Sequence, residues 1–474
     1  MAPRVSGGPP FVGRTRELAL LARVLGEVRR SGSGRIVAIR GRRQVGKSRL
    51  AEIFCERSGA PSVYFQATRQ RPPHLEIEGF RALAAGSLDD AAVVLGSAAF
   101  HTWDGVLAAL GEAVEQPTIV VIDELPWLIE QDGAVEGALQ TAFDRHLKVR
   151  PILVVLIGSD LAMMEALTAY GRPLYDRARV LAVSPLAPSE VGELAGRDAL
   201  DALDAYVVVG GFPNLVHALA GSRSLAGFLR DQLDDPTSPL IVAGERALAG
   251  EFPPDVHARA VLDAIGSGRR EHKSISSQSG TGGATLDRAL DHLIAKRAVA
   301  KLFPYSTEPG RRRSRYEVVD PYLRFWLRFV GPALPEIERG RGREVARRTL
   351  ADLPTFAGRS IEAVVREALT RLLPDRKFGR ARYVSPYWTR DGRVEVDLVG
   401  GHRPDRAEHV EFLGSIKWRQ QAPFDKRDLA ALAAQRSKVP GGGPRTRLIA
   451  VSRAGISCEG LNYGFGPDDL LAAW

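Results

Sequence analysis

Residues 35–50 read RIVAIRGRRQVGKSRL, an apolar run at Ile36–Ile39 leading into Gly41–Ser48, which matches the pattern GxxxxGK[ST]. This order leaves little freedom of fold. A buried strand must deliver a loop bounded by Gly41 and Gly46 to the start of a helix, where loop N–H groups and the helix N-terminus face a polyphosphate. Lys47 is then expected to reach the β- and γ-phosphates, the Ser48 hydroxyl to hold Mg²⁺, and Arg49 to follow in the first helical turn beside the nucleotide. A second apolar, β-branched strand lies in TIVVIDELPWL at 118–128 and ends in Asp123–Glu124. A carboxylate at the C-terminal end of a neighbouring strand is placed for the Mg²⁺ shell and for an attacking water.

Further apolar strands are expected at Ser62–Gln66, Ile152–Gly158 and Val180–Val183, with helices at Phe11–Leu25 (after a short arm), Lys47–Arg57, Ala91–Val114 and Gly133–His146. Apolar strands alternating with helices indicate a parallel sheet covered on both faces, an α/β class. Ser189–Val242 reads as helical, interrupted by Gly210-Gly211-Phe212-Pro213. Helices at Val256–Ile265, Lys273–Ser277 and Thr285–Arg297, then strands at Val299–Pro304 and Tyr316–Val319, give a winged-helix outline. An aromatic amphipathic helix is expected at Pro321–Val330, followed by a Pro/Gly/Arg-rich connector. The remainder reads as a separate α/β unit with a helix at Ser360–Leu373 and strands at Ala381–Pro386, Arg393–Val399, His409–Lys417 and Arg447–Val451.

The 474 residues allow several domains, and their net charge of +9 is concentrated. Residues 296–350 hold 14 Lys/Arg against 6 Asp/Glu, which suggests an anionic partner bound at one place. Cys55 and Cys458 are far apart and lack metal spacing, which argues against a disulfide framework or a zinc site. No apolar run reaches the roughly 18–20 residues of a membrane span. The opening MAPRVSGGPPFVGR has no apolar core after its charge. No signal peptide and no membrane contact are therefore expected, and the cytoplasm is the expected compartment.

Taken in order, FVGRTREL at 11–18, GRRQVGKS at 41–48, VVIDELPWL at 120–128, LIGSDLAMME at 156–165, PLYDRARVLAVSPL at 173–186, GGFP at 210–213 and RYEVVDPYLRFWLRFV at 315–330 resemble the archaeal ATPase family within the STAND and AAA+-like P-loop ATPases. The resemblance implies an α/β P-loop NTPase with a parallel sheet, a helical lid, a winged-helix domain and a C-terminal restriction-endonuclease-like domain. The corresponding segments are 1–187, 188–250, 251–330, a basic linker at 331–349, and 350–474. It implies ATP and Mg²⁺ as ligands, with ADP as the alternate state. Val12, Gly13 and Arg14 would lie near the adenine. Asp123 would orient Mg²⁺ and Glu124 would polarise the attacking water. Ser159 resembles a sensor of the γ-phosphate, and Gly211 and Pro213 resemble the lid element that packs on the base. Arg177 or Arg179 resembles an arginine finger, acting in cis or from a neighbouring copy.

Duplex DNA is the expected partner of the winged helix, through Arg311, Arg312, Arg313 and Arg315 on the wing and Arg288, His292 and Lys296 on the third helix. A protein partner or a second copy of the chain is the alternative. In the C-terminal segment, Glu362, Asp397 and Lys417 match parts of a metal-dependent nuclease site. The family's acidic residue two before the lysine is Ser415 here, and Glu411 lies four residues, or about 13 Å, further along the strand. A module that binds without cleaving is therefore expected ahead of an active nuclease.

Overall fold

The computed structural model describes residues 11–251, 257–306, 314–403 and 409–474. The chain forms two compact units, Met1–Pro185 and Leu186–Trp474.

The first unit is built on strands β1 (Arg35–Arg40), β2 (Ser62–Gln66), β3 (Thr118–Asp123), β4 (Ile152–Gly158) and β5 (Ala178–Ala182). They form one parallel sheet in the order β2-β3-β4-β1-β5. Alternate side chains along each strand enter opposite cores. Val37, Ile39, Val121, Val155 and Ile157 pack with Leu21, Val24 and Val28 of helix Thr15–Ser31 and with Leu50 and Phe54 of helix Lys47–Ser58. Ile36, Ala38, Val120, Ile122, Val154 and Leu156 pack on the other face with Ile77, Phe80, Trp103, Leu107 and Leu139. The central strands β3 and β4 are buried along their whole length, which is why they read as unbroken apolar runs.

Two features differ from the sequence reading. β3 is not the neighbour of β1, because β4 lies between them. Residues 73–87, PHLEIEGFRALAAGS, form a helix that the apolar pattern did not announce, since Ala and Gly dilute its periodicity.

The second unit opens with helices Pro188–Ala195, Ala199–Val209, Pro213–Ala220, Leu225–Asp234 and Pro239–Glu251. Helices Ala258–Gly266, His272–Ser279 and Gly283–Ala295 follow, and then an antiparallel hairpin of β6 (Val299–Leu302) and β7 (Arg315–Val318). Residues 321–330 are helical, with a π-turn at Trp326–Val330. Tyr322 OH donates to the Leu240 carbonyl at 2.8 Å and Trp326 Nε1 to the Ile241 carbonyl at 3.0 Å, which pins this helix to Pro239–Glu251.

Residues 331–349 are not an open connector. They hold helix Leu334–Glu338 and the start of a 30-residue helix, Gly342–Arg371, which begins well before the expected Ser360. Gly342 makes this possible, because a Cβ there would stand 2.0 Å from the Leu233 carbonyl oxygen. The last sheet contains β8 (Tyr383–Trp388), β9 (Glu395–Gly401), β10 (Val410–Lys417), β11 (Arg447–Ser452) and β12 (Tyr463–Phe465), in the order β12-β11-β10-β9-β8. It is mixed: β8, β9 and β10 pair antiparallel, while β10, β11 and β12 pair parallel. Asp204 of helix Ala199–Val209 is clasped by this domain, accepting from Trp418 Nε1 at 2.7 Å and Arg453 Nη2 at 2.8 Å. Among the described residues, no helix is long and apolar enough to cross a membrane.

Candidate nucleotide site

The loop after β1 is shaped by close approach. A Cβ on Gly41 would lie 2.3 Å from the Val183 carbonyl oxygen, so only glycine passes beside the segment that leaves β5. Gln44 (φ +63°) and Gly46 (φ +88°) are both left-handed, and they curl the backbone into the N-terminus of helix Lys47–Ser58. Arg14 holds this curl from outside. It is itself left-handed (φ +60°) and buried, and its Nη2 donates to the Val45 carbonyl at 2.9 Å while Nη1 pairs with Glu17 at 3.2 Å.

Lys47 is 6% exposed, and its Nζ donates to the carbonyls of Gly41 and Arg42, each at 2.9 Å. Burial pulls its pKa down to about 8, against the opposing pull of the Glu124 and Asp123 carboxylates. The loop is thus closed around a cation that has backbone dipoles but, among the described residues, no carboxylate at hydrogen-bonding distance, an environment suited to a polyphosphate.

The acidic edge is equally ordered. Asp123, 1% exposed, accepts from Tyr64 OH at 2.8 Å through Oδ2 and from the Glu124 N–H at 2.9 Å through Oδ1. The Tyr64 hydroxyl also lies 3.4 Å from the Ser48 carbonyl, and burial with the adjacent Asp123 charge pushes its pKa up. Glu124 occupies left-handed backbone (φ +56°), uncommon for a residue with a Cβ and a recurrent feature of functional sites. The turn presents its carboxylate to β4, where Ser159 Oγ donates to Glu124 Oε2 at 2.9 Å. The intervening β4 therefore does chemical service, carrying Ser159 to the same sheet edge as the loop and the acidic pair.

The other residues read from the sequence fall in varied places. Arg49 pairs with Glu52 at 3.0 Å. Gly13 (φ +73°) and Val12 lead into Arg14, whose guanidinium grips the phosphate loop. Arg177 forms a two-point pair with Asp144 at 2.9 and 2.8 Å, and Arg179 forms one with Glu27 at 2.8 and 2.7 Å. In the second unit, the Gly211 carbonyl accepts from the Leu186 N–H at 2.8 Å, Phe212 meets Tyr322 edge-on at 5.5 Å, and Pro213 opens its helix at the first turn. Tyr64 was not legible beforehand, because a tyrosine in SVYFQ is ordinary strand composition.

Asp397 on β9 accepts from the Ile416 N–H at 2.7 Å and from Ser415 Oγ at 3.2 Å. Burial raises its pKa, and burial likewise raises that of Glu362, which stands 3.7 Å from Arg366. Lys417 Nζ lies 3.9 Å from Asp428. Among the described residues, no group of three or more His, Cys, Asp or Glu is arranged to hold a metal ion. Arg315 does not project from a wing tip. It pairs with Glu395 at 2.6 Å and stacks on Trp388 at 4.5 Å, because β7 sets it against the C-terminal sheet. Arg311, Arg312 and Arg313 lie outside the described residues.

Residues 11–219 match the model of a family described as an ATPase domain predominantly from Archaea. The likeness to that archaeal ATPase family covers this region, somewhat less than half of the chain. Residues 326–430, beyond the ATPase region, match a family described as archaeal and bacterial proteins of unknown function. An uncharacterized protein of Methanocaldococcus jannaschii is 24% identical over 438 residues, spanning 91% of this chain and 92% of the relative. Among solved structures, a Walker-type ATPase of Pyrococcus abyssi is similar at 18% identity and a TM-score of 0.49, covering 68% of this chain and 99% of that one. The ORC2 protein of Aeropyrum pernix is similar at 16% identity and a TM-score of 0.48, covering 73% and 97%. A STAND protein with a tetratricopeptide repeat sensor from Pyrococcus horikoshii is similar at 15% identity and a TM-score of 0.33, covering 78% and 50%.

Proposed function

We propose that the chain is an ATP-binding and ATP-hydrolysing molecular switch that couples nucleotide state to its helix–hairpin module. The observation that carries this reading is the hydrogen bond between Ser159 and Glu124 at the edge that also holds Lys47 and Asp123. The donor set fits the ligands: Ser48 and Asp123 offer the oxygen donors that Mg²⁺ prefers, and the closed loop around Lys47 offers N–H groups and a cation to phosphates. Bound Mg²⁺ supplies charge neutralisation on the phosphate oxygens.

In this mechanism Glu124 takes a proton from water as the oxygen attacks the γ-phosphorus and the bond to the β–γ bridging oxygen breaks. Ser159 has a single proton to donate. A γ-phosphate oxygen competing for it would release Glu124 toward water, so one hydroxyl both senses the phosphate and frees the base. The Asp204 clasp supports coupling, since it ties a helix next to the GGFP element to the mixed sheet.

The reading is tested by steady-state ATP turnover and nucleotide binding. Glu124→Gln is expected to lose about 10²–10⁴-fold in turnover while retaining nucleotide, and Lys47→Ala to lose nucleotide affinity. Wild-type turnover in Glu124→Gln would falsify it.

We further propose duplex DNA as the partner of the helix–hairpin module. Lys273, Lys301 and Arg390 line a groove beside the exposed ring of Phe303 and outnumber the carboxylates of Glu271 and Asp287 there, a surface whose excess positive charge suits a nucleic-acid backbone. Subdivision of the second unit into lid, winged helix and restriction-endonuclease-like domain belongs to this proposal. So does a C-terminal domain that binds without cleaving, since Asp397 is engaged by Ser415 and Glu362 faces Arg366. DNA affinity with ADP against a non-hydrolysable ATP analogue tests the coupling, and equal affinities would remove it.

A further inference from the structure

A cavity of about 200 Å³ opens in the second unit between helix Ala258–Gly266, β7, residues 321–330 and the long helix Gly342–Arg371. Its polar lining is dominated by Arg270, Arg324, Arg328 and Arg359, against the carboxylates of Glu317 and Asp352. Four guanidinium groups facing two carboxylates leave an excess of two positive charges.

Two buried polar groups here lack a hydrogen-bond partner among the described residues. Ser360, 5% exposed, has an unpartnered Oγ, although a mid-helix serine ordinarily bonds back to the preceding turn. Arg270 Nη2 is also unpartnered, with its nearest carboxylate oxygen, on Glu317, 3.9 Å away. Buried polar groups are rarely left unsatisfied, because each costs about 1–3 kcal/mol. Converging on one cavity, they mark a place where an acceptor-only ligand belongs.

The geometry points to a binding site for a small phosphate-class anion, of which inorganic pyrophosphate is the simplest probe, held by Arg270, Arg324, Arg328, Arg359 and Ser360. Guanidinium forks match phosphate oxygens two at a time, and a serine hydroxyl donates a further bond. Size narrows the ligand: the space is several times the ~30 Å³ share of one water, yet below the roughly 300 Å³ at which pockets for drug-sized molecules begin. Burial lowers the Arg324 pKa to about 10, so its cation stays charged at neutral pH and gains from an anion beside it. This site is separate from the phosphate loop and does not depend on ATP hydrolysis.

The full-length chain, with its phosphate loop saturated by a non-hydrolysable ATP analogue, would be titrated calorimetrically with pyrophosphate. Saturable binding at one site is expected, weakened about tenfold or more in Arg328→Glu and in Arg359→Glu. Both residues are exposed on their helices, so a matched circular dichroism melt confirms folding. Absence of binding to wild type, or equal affinity in both variants, overturns the assignment. A short DNA duplex forms the second arm: if both variants weaken duplex binding while wild type takes no free pyrophosphate, the arginines serve a nucleic-acid backbone and the proposal is wrong.

Discussion

Ser159 and Glu124 share one proton, donated by the serine Oγ to Glu124 Oε2 across 2.9 Å from the end of β4 to the turn after β3. If this bond is the sensing device, Ser159→Ala uncouples the base from the γ-phosphate without disturbing the cradle around Lys47. Turnover is expected to fall about tenfold, which corresponds to losing about 1.4 kcal/mol, the net value of one hydrogen bond. ADP affinity should be unchanged, while preference for ATP over ADP narrows. Fluorescent-nucleotide titrations beside turnover measurements separate the two effects.

Tyr64→Phe deletes the hydroxyl that satisfies Asp123 Oδ2, leaving a buried carboxylate oxygen short of a partner. The expected loss is about 1–3 kcal/mol, read as a lower urea midpoint for the first unit's transition. A midpoint unchanged from wild type would show that another group takes up the bond.

Lys47 gives a pH signature in nucleotide-free protein. Its folded pKa of about 8 lies below the ordinary 10.5, so between those values the unfolded chain binds more protons than the folded one. Stability contributed by this group therefore rises with pH across that window, and burial of the charged amine costs stability below it. Lys47→Met should be relatively more stable near neutral pH and should lack this rise, as shown by paired denaturation curves at neutral and alkaline pH. Nucleotide affinity of the wild type should weaken above pH 8 as the lysine loses its proton.

Gly41→Ala and Gly59→Ala form a matched pair. At Gly41 the added methyl meets the Val183 carbonyl at 2.3 Å, whereas at Gly59 (φ +63°) it enters open space at the cost of a left-handed alanine, about 1–2 kcal/mol. The first substitution should cut nucleotide affinity at least about tenfold, since backbone displaced in the cradle no longer presents its N–H groups. The second should only lower the melting temperature. Equal affinities would show that the loop can shift without loss.

Much of this site was legible in the chain because its signals are local. A glycine-bounded loop between an apolar run and a helix needs no long-range information, and Asp123–Glu124 at the end of TIVVID is visible in the same way. Ser159 was tied to the γ-phosphate by resemblance, but that its strand would lie between β1 and β3 was not legible, because strand order is set by crossover packing and leaves no mark in period-2 patterning. Arg14 was tied to the nucleotide by resemblance, but its grip on Val45 follows from left-handed backbone at residues 13 and 14. Gly342 misled in the opposite direction. In a stretch rich in arginine, proline and glycine it reads as linker punctuation, yet it is the small residue that lets a helix begin against the Leu233 carbonyl. Arg315 looked like a charge for a partner and is instead held by Glu395 and Trp388, contacts made by residues far away in the chain.

The long helix Gly342–Arg371 has a mechanical consequence. Its 30 residues span about 45 Å at 1.5 Å each, beginning against helix Leu225–Asp234 and ending beside the mixed sheet that also clasps Asp204. The helices after Leu186 and the sheet are thus joined at two separated points, by this helix and by the Asp204 clasp. Pro354 lies inside that helix and removes one of its backbone hydrogen bonds, so any bend along its length has a defined place between the two fastenings.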